Sequence, residues 1–218
     1  MVIKHVHLNH SGGFYLYRIH DEKLGTLCNG NGFHPLKNYL NTVFQKRPDA
    51  YFDSGPRSSS LKFTTHHDII EVRGHEVSTL AKYGLLENNN RFRDNHSKVQ
   101  MYMLENDSAT ISMEVPLWIQ ADELEGFTEL FGTIQPLTGH IDVLRIDDDK
   151  IWIWDYKPNA HKEKYASTQV YFYSLMMSKR TGIPLDKFRC GYFDDKYAFL
   201  FKPKADILHK NTRLSGFL

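Results

Sequence analysis

Val, His and Leu alternate in the Val2–Leu8 segment, which reads as a short strand, and the aromatic and apolar Phe14–Ile19 reads as another, the two set among Gly/Asn turns. Asn29-Gly30-Asn31-Gly32 reads as a loop. Pro35–Gln45 reads as a short helix, with proline in its first turn and a stop before Pro48. Residues 48–60, rich in Pro, Gly and Ser, read as a loop. From 63 to 86 the spacing turns helical, with Ile70, Val77, Leu80, Ala81 and Gly84 on one side of the wheel. Asn88-Asn89-Asn90 stops that helix, and a polar stretch runs to about Lys98. Met101–Leu104, Thr110–Trp118, Gly139–Ile146 and Lys150–Tyr156 read as strands. His161–Thr181 reads as a second long helix, ended by Gly182 and Pro184. Phe188–Phe193 and Tyr197–Phe201 read as a closing hairpin. This mixture predicts an α/β fold, a mixed sheet flanked by helices.

Composition narrows the function. The chain has 218 residues, room for one domain, with 14 Phe, 12 Tyr and 3 Trp to fill a core. A formal net charge of +1 argues against a strongly basic nucleic-acid-coating protein and still allows a local basic groove. Two distant cysteines, Cys28 and Cys190, exclude a disulfide framework, a Cys-rich zinc site and a four-Cys iron–sulfur cluster. No apolar run approaches the roughly 18 residues that span a membrane, and the first residues lack the apolar centre of a signal peptide. A cytoplasmic protein with no membrane partner is expected. Phosphate-loop and nucleophile-elbow motifs are absent. Gly30-Asn31-Gly32 is followed by Pro35 where a dinucleotide fingerprint needs its third glycine, and His75-Glu76 by Thr79 where a zinc-protease helix needs its second histidine.

The chemistry concentrates in Gly139-His140-Ile141-Asp142 and Trp154-Asp155-Tyr156-Lys157, separated by the turn signal Asp147-Asp148-Asp149. A hairpin pivoting between Asp148 and Asp149 sets Leu144 opposite Ile153 and Asp142 opposite Asp155. Directly opposed residues have Cβ atoms about 4.5–5.5 Å apart, so two carboxylates there repel unless something positive lies between them. A divalent cation with oxygen ligands meets that need. Strand alternation puts Lys157 on the face of Asp155. The competing reading is a surface hairpin with scattered charges, which gives no reason for the charges to meet in register. Gln169 and Tyr173, four apart on the second helix, share a face with Val170 and Met177 on the stripe turned to the sheet. Spacing alone reads them equally as buried polar core groups.

Gly139-x-x-Asp142, Asp155-x-Lys157 and Gln169-x-x-x-Tyr173 together resemble the G-x-x-D, (D/E)-x-K and Q-x-x-x-Y signatures of RecB-like nucleases in the PD-(D/E)XK superfamily, over about residues 135–202. The resemblance implies a restriction-endonuclease-like core, a central mixed sheet flanked by helices, over residues 61–218. Residues 1–60 would be an N-terminal β/α extension of unknown role packed on it. The resemblance also implies phosphodiester hydrolysis with Mg²⁺ or Mn²⁺; some such relatives carry four cysteines for an iron–sulfur cluster, and with two cysteines this chain is expected to have none. By carry-over, Asp142 and Asp155 hold the metal, helped by the Tyr156 carbonyl. Lys157 orients or activates the attacking water. Gln169 and Tyr173 support the site and contact the nucleic-acid backbone.

Relatives of this kind also place a Glu or His ligand on a helix before the sheet. Here the candidates are Glu76 and His75 in the 63–86 helix. On a straight helix Glu76 lies on the flank of the apolar stripe and His75 points away from it, which favours Glu76; a break at Gly74 would reverse the choice. Glu114 is a candidate supporting carboxylate. Arg91, Phe92 and Arg93, with His96 and Lys98 nearby, and Lys162 and Lys164 after the Asp-x-Lys strand, are candidate nucleic-acid contacts. The expected activity is a metal-dependent deoxyribonuclease of repair, recombination or mobile-element processing, with DNA as partner and homo-oligomerisation open. The alternatives are a nucleic-acid-binding module of the same fold without catalysis and a hydrolase of small phosphoesters.

Overall fold

A computed structural model describes residues 2–10 and 13–205; residues 206–218 of the expected core fall outside them. The chain opens with a hairpin of β1 (Ile3–His10) and β2 (Gly13–His20), followed by α1 (Asp21–Leu27) and α2 (His34–Gln45). Then come β3 (Ile70–Arg73), α3 (Glu76–Glu87), α4 (Asn95–Asn106), β4 (Thr110–Ile119) and the short α5 (Phe127–Phe131). β5 (Leu137–Asp147), β6 (Lys150–Tyr156), α6 (Ala166–Thr181), β7 (Phe188–Phe193) and β8 (Tyr197–Phe201) complete it. The strands form one sheet in the order β1-β2-β4-β5-β6-β7-β8-β3, antiparallel throughout except for β6 beside β7. The α/β architecture with a mixed, helix-flanked sheet is as the sequence predicts.

The two sheet faces have separate cores. On one face Leu144, Ile146, Ile151 and Ile153 share a core with Val170, Phe172 and Met176 of α6, and with Leu36 and Leu40 of α2, which packs on α6. On the other face Val143, Trp154 and Phe193 pack against Val77 and Ala81 of α3 and Val99 and Met103 of α4. Strand alternation in β5 and β6 therefore sends Asp142 and Asp155 to the α6 side. At roughly 25 cal/mol per Å² of apolar area, these cores are the main stabilising term. Among the described residues no helix is long and apolar enough to cross a membrane.

Three predicted elements are corrected. The 63–86 helix is a strand, a turn and a shorter helix. Ile70 and Val72, β-branched, pair with Leu200 and Ala198 at the sheet edge. Gly74 then turns with φ +69°, its N–H donating to the Lys196 carbonyl at 3.0 Å. His75 caps α3, accepting from the Val77 N–H at 3.2 Å. Met101–Leu104, read as a strand, lies inside α4, which Asp94 caps through the Ser97 N–H at 2.7 Å. The second long helix starts at Ala166, after a single turn at Ala160–Lys162, and not at His161. α1, unforeseen, packs beside β4, with Lys23 donating to the Leu104 and Asp107 carbonyls at 2.6 Å each.

Candidate active site

Hairpin geometry places the site. Asp148 and Asp149 both have positive φ, 48° and 52°, the twist of a two-residue type I′ turn. That turn fixes the register: Asp147 pairs with Lys150, Leu144 with Ile153 and Val143 with Trp154. The ladder stops there, one step short of Asp142 and Asp155. Asp142 Oδ2 instead accepts the Tyr156 N–H at 2.8 Å.

β4 opens the sheet on the other side of β5. Pairing with β2 lasts for two residue pairs, Arg18 with Met113 and Ile19 with Ser112. Beyond them Glu114 takes φ +54°, and Pro116 has no N–H to continue the ladder. Where the strands part lies a cleft of about 280 Å³ lined by Glu114, Asp142, Asp155, Lys157, Gln169 and Tyr173, with His96, His140, Tyr15, Arg57 and Ser59.

Each polar group in the cleft has a physical anchor. Asp155 is 1% exposed. Its Oδ1 accepts from Gln169 Nε2 at 3.0 Å, and its Oδ2, with no other hydrogen-bond donor among the described residues, lies 2.5 Å from the Lys157 ammonium. Gln169 Nε2 also donates to the Tyr173 hydroxyl at 2.8 Å. Gly139 explains how the Tyr173 ring fits: a Cβ there would lie 2.3 Å from the ring. Lys157 is fixed at the backbone by its N–H to the Phe193 carbonyl at 2.9 Å. Asp194, buried in the β7–β8 turn, accepts from the Ala160, Lys196 and Tyr197 N–H groups at 2.8 Å each and so anchors the segment after Lys157.

Burial holds the Asp142 carboxyl above the usual carboxylate range, and the charge of Asp155 adds to it; His96, Lys157 and the Tyr156 N–H pull the other way. Burial and the charge of Asp142 likewise raise Glu114, which also accepts from Gln100 at 2.7 Å. Burial lowers the Lys157 ammonium's affinity for its proton, but Asp155 and Asp142 outweigh that and raise its pKa. Lys157 is therefore a cation here, suited to holding an anionic oxygen. The Tyr173 hydroxyl, buried beside Asp155, is raised and stays protonated.

The structure brings Asp142, Asp155, Lys157, Gln169 and Tyr173 together in this cleft. Glu114 and His96 line it too, and of the other candidates only the Tyr156 backbone reaches it, through its N–H on Asp142. Glu76 stands exposed at the first turn of α3, 3.2 Å from Arg145, which pairs with buried Asp107. Arg145 is three residues from Asp142 and faces the opposite side of the sheet. His75 is a helix cap beside Trp154. The straight-helix argument fails because α3 begins at Glu76. Arg91 is clasped by both oxygens of Glu105 at 2.7 and 2.8 Å, and Arg93, Lys162 and Lys164 are exposed; none of the four lines the cleft. Tyr156 turns its ring to the α3–α4 side, 5.1 Å from the His96 ring. His96, read from sequence only as a nearby cation, sits at the start of α4 with Nε2 3.8 Å from Asp142 Oδ2. Tyr15, Arg57, Ser59 and His140 carry no sequence signal.

Among the described residues no three His, Cys, Asp or Glu side chains stand as a ready-made metal cage. The donor chemistry nevertheless fits a hard divalent cation. Asp142, Asp155 and Glu114 face one cleft, burial and the neighbouring carboxylate hold Asp142 and Glu114 protonated above their usual range, and among the described residues Asp155 Oδ2 has the Lys157 ammonium as its one partner.

A family model described as "PD-(D/E)XK nuclease superfamily" matches residues 72–211, well over half of the chain. The chain belongs to the PD-(D/E)XK nuclease superfamily. Its sheet and flanking helices are the restriction-endonuclease-like core of that superfamily, whose members are nucleases that typically use divalent metals. In this PD-(D/E)XK protein the matched span begins in β3, so β1, β2, α1, α2 and the 48–60 loop lie outside it. A solved structure described as "Crystal structure of SSO0001" is 12% identical, over 63% of this chain and 82% of that one, with a TM-score of 0.37, too low to bear on the fold. No curated protein matches.

Proposed function

We propose that the chain is a RecB-like deoxyribonuclease that hydrolyses phosphodiester bonds with Mg²⁺ or Mn²⁺, in DNA repair, recombination or mobile-element processing. One observation carries the reading: Asp142 and Asp155 on two adjacent strands and Lys157 just after the second share one cleft, with Gln169 locked onto Asp155. Asp142 and Asp155 would hold the cation, with the Tyr156 carbonyl, and with Glu114 and His96 beside them. Such a cation lowers the pKa of water and takes up charge on phosphate oxygens.

The chain's own groups do the rest. Lys157, kept cationic by the two aspartates, donates to the attacking water or to a non-bridging phosphate oxygen and stabilises the developing negative charge. Gln169 fixes the rotamer of Asp155, leaving Oδ2 turned to Lys157 and the cleft. Tyr173, protonated, holds Gln169 in turn. The water oxygen bonds to phosphorus as one phosphorus–ester oxygen bond breaks; the water gives up a proton to solvent and the leaving oxygen takes one from solvent, so the products are a phosphomonoester and an alcohol.

A substrate panel tests this: plasmid, linear duplex, single-stranded DNA, RNA and a chromogenic phosphodiester, each with Mg²⁺, Mn²⁺ or EDTA, for wild type and Lys157→Ala. The expected result is cleavage of DNA by wild type with metal alone, and none by Lys157→Ala. Cleavage of the small diester only would make it a phosphoesterase. DNA binding without nicking under every condition would make it a binding module.

A further inference from the structure

The cleft has one wall that the superfamily match does not supply. Tyr15 on β2 and Arg57 and Ser59 in the 48–60 loop reach it from residues outside 72–211. The loop is stitched to the start of β5: Thr138 N–H donates to the Pro56 carbonyl at 3.0 Å, and buried Ser58 donates to the Thr138 carbonyl at 3.0 Å. Gly55, at φ +98°, lets the chain pass so close that a Cβ would lie 2.4 Å from the Pro136 carbonyl. The backbone of Arg57 is thus fixed against β5.

Its side chain is aimed by a hydrogen-bonded relay. Arg57 Nη2 lies 3.2 Å from His140 Nδ1, His140 Nε2 lies 2.9 Å from His10 Nδ1, and His10 Nε2 lies 2.8 Å from Asp49 Oδ1. Arginine only donates, so His140 Nδ1 accepts and its Nε2 carries the proton. His10 Nδ1 then accepts and its Nε2–H donates to Asp49. Every bond in the chain points from the guanidinium to the carboxylate, and both histidines are neutral. The rings are packed as well: Tyr15 stacks on His140 at 3.8 Å, Phe52 stacks on His10 at 3.8 Å, and the guanidinium lies 4.9 Å over Tyr15.

This arrangement keeps Arg57 from neutralising the acidic cleft. Among the described residues no carboxylate forms an ion pair with it, although Asp142, Asp155 and Glu114 line the same cavity. One of its five donors is engaged by a neutral imidazole. A guanidinium with a full charge and spare donors, held rigidly in a cleft, is a fork for phosphate.

We propose that Arg57 binds a phosphate of the substrate strand beside the Asp142–Asp155 centre, and that His140, His10 and Asp49 position it; this rests on the nuclease reading. The N-terminal segment thereby completes the substrate site.

The test is steady-state cleavage of a labelled DNA substrate with Mn²⁺ by the full chain, as wild type, Arg57→Ala, Arg57→Lys, Arg57→Gln, His10→Phe and the Arg57→Ala/His10→Phe pair, over about 50–200 mM KCl. Arg57→Ala should raise KM about tenfold with kcat little changed, the mark of a ground-state contact. It should flatten the slope of log kcat/KM against log salt by about 0.7–0.9, one phosphate contact. Arg57→Lys should keep the slope. His10→Phe keeps the ring against Phe52 but not the relay, so it should raise KM, and the pair should be no worse than Arg57→Ala alone. An unchanged KM and slope in Arg57→Ala, or a fall in kcat alone, overturns the proposal. Should Arg57→Ala fail to fold, Arg57→Gln decides on the same criteria. If wild type cleaves and the variants match it, this proposal fails and the nuclease reading stands. If wild type cleaves no nucleic acid, both fail.

Discussion

Gly139→Ala is a substitution of one methyl group that should disturb the site through two neighbours. The new Cβ would lie 2.3 Å from Tyr173 Cε1, 3.1 Å from Cζ and 3.2 Å from Cδ1. Optimal carbon–carbon separation is about 3.5–4.0 Å, so the ring must retreat by more than about 1 Å. Tyr173 is 2% exposed and α6 is buried around it, so the way out for the ring is toward the cleft it lines, away from Gln169. Overpacking of this kind costs about 1–3 kcal/mol. Moving the ring also draws its hydroxyl from Gln169, whose amide orients Asp155. Urea unfolding and cleavage rates read the two effects separately. Gly25→Ala, with nothing within 4 Å of the added Cβ and a helical position, should be neutral or stabilise by up to about 1 kcal/mol and leave cleavage unchanged. In a Tyr173→Ala background the Gly139→Ala penalty should vanish. A Gly139→Ala protein as stable and active as wild type, or a penalty that persists without the Tyr173 ring, refutes the steric argument.

Glu76→Gln removes an exposed carboxylate from Arg145, which keeps its buried partner Asp107, and should cost under about 1 kcal/mol, with cleavage and Mn²⁺ binding as in wild type; loss of metal binding would restore Glu76 as a ligand. The metal-free protein carries raised carboxyls at Asp142 and Glu114, so its folded state holds protons that the unfolded chain has released, and their contribution to stability falls as pH rises above the ordinary carboxylate range. Buried His10, His20 and His140 and half-buried His67 and His75, whose pKa values burial lowers, act in the opposite direction, so the comparison must be with Asp142→Asn. From about pH 5 to about pH 8 wild type should lose Tm relative to Asp142→Asn, and Mn²⁺ should raise the wild-type Tm more at the higher pH; a wild type that gains on Asp142→Asn contradicts the sign.

The sequence carried the Asp142–Asp155 hairpin because a two-residue turn and strand alternation leave one register, and local chemistry decides both. Gly139 and Tyr173 were legible as a motif, and the structure supplies their reason, a ring packed against a bare backbone. The first-helix ligand was not legible. Its choice depended on a straight helix through Gly74, whereas β3 exists because β8 offers an edge to Ile70 and Val72, a contact far along the chain. His96 was hidden for a similar reason: α4, which carries it to Asp142, is a helix by virtue of the Asp94 cap and packing on α3 at Gly84, where a Cβ would meet the Lys98 carbonyl at 2.9 Å. Arg57 lies in a loop without periodicity, and its position rests on hydrogen bonds to Thr138 and His140.

Cleavage of a DNA substrate by wild type and Asp155→Asn, with Mn²⁺ and with EDTA, tests the central claim most directly. Asparagine can still accept from Gln169, so the fold should persist, while the anionic oxygen facing Lys157 and the cation is lost. The account predicts cleavage by wild type with Mn²⁺, none with EDTA, and a kcat at least about 1000-fold lower in Asp155→Asn, roughly 4 kcal/mol of transition-state stabilisation. Equal cleavage by a folded Asp155→Asn, or cleavage by wild type that persists in EDTA, would contradict it.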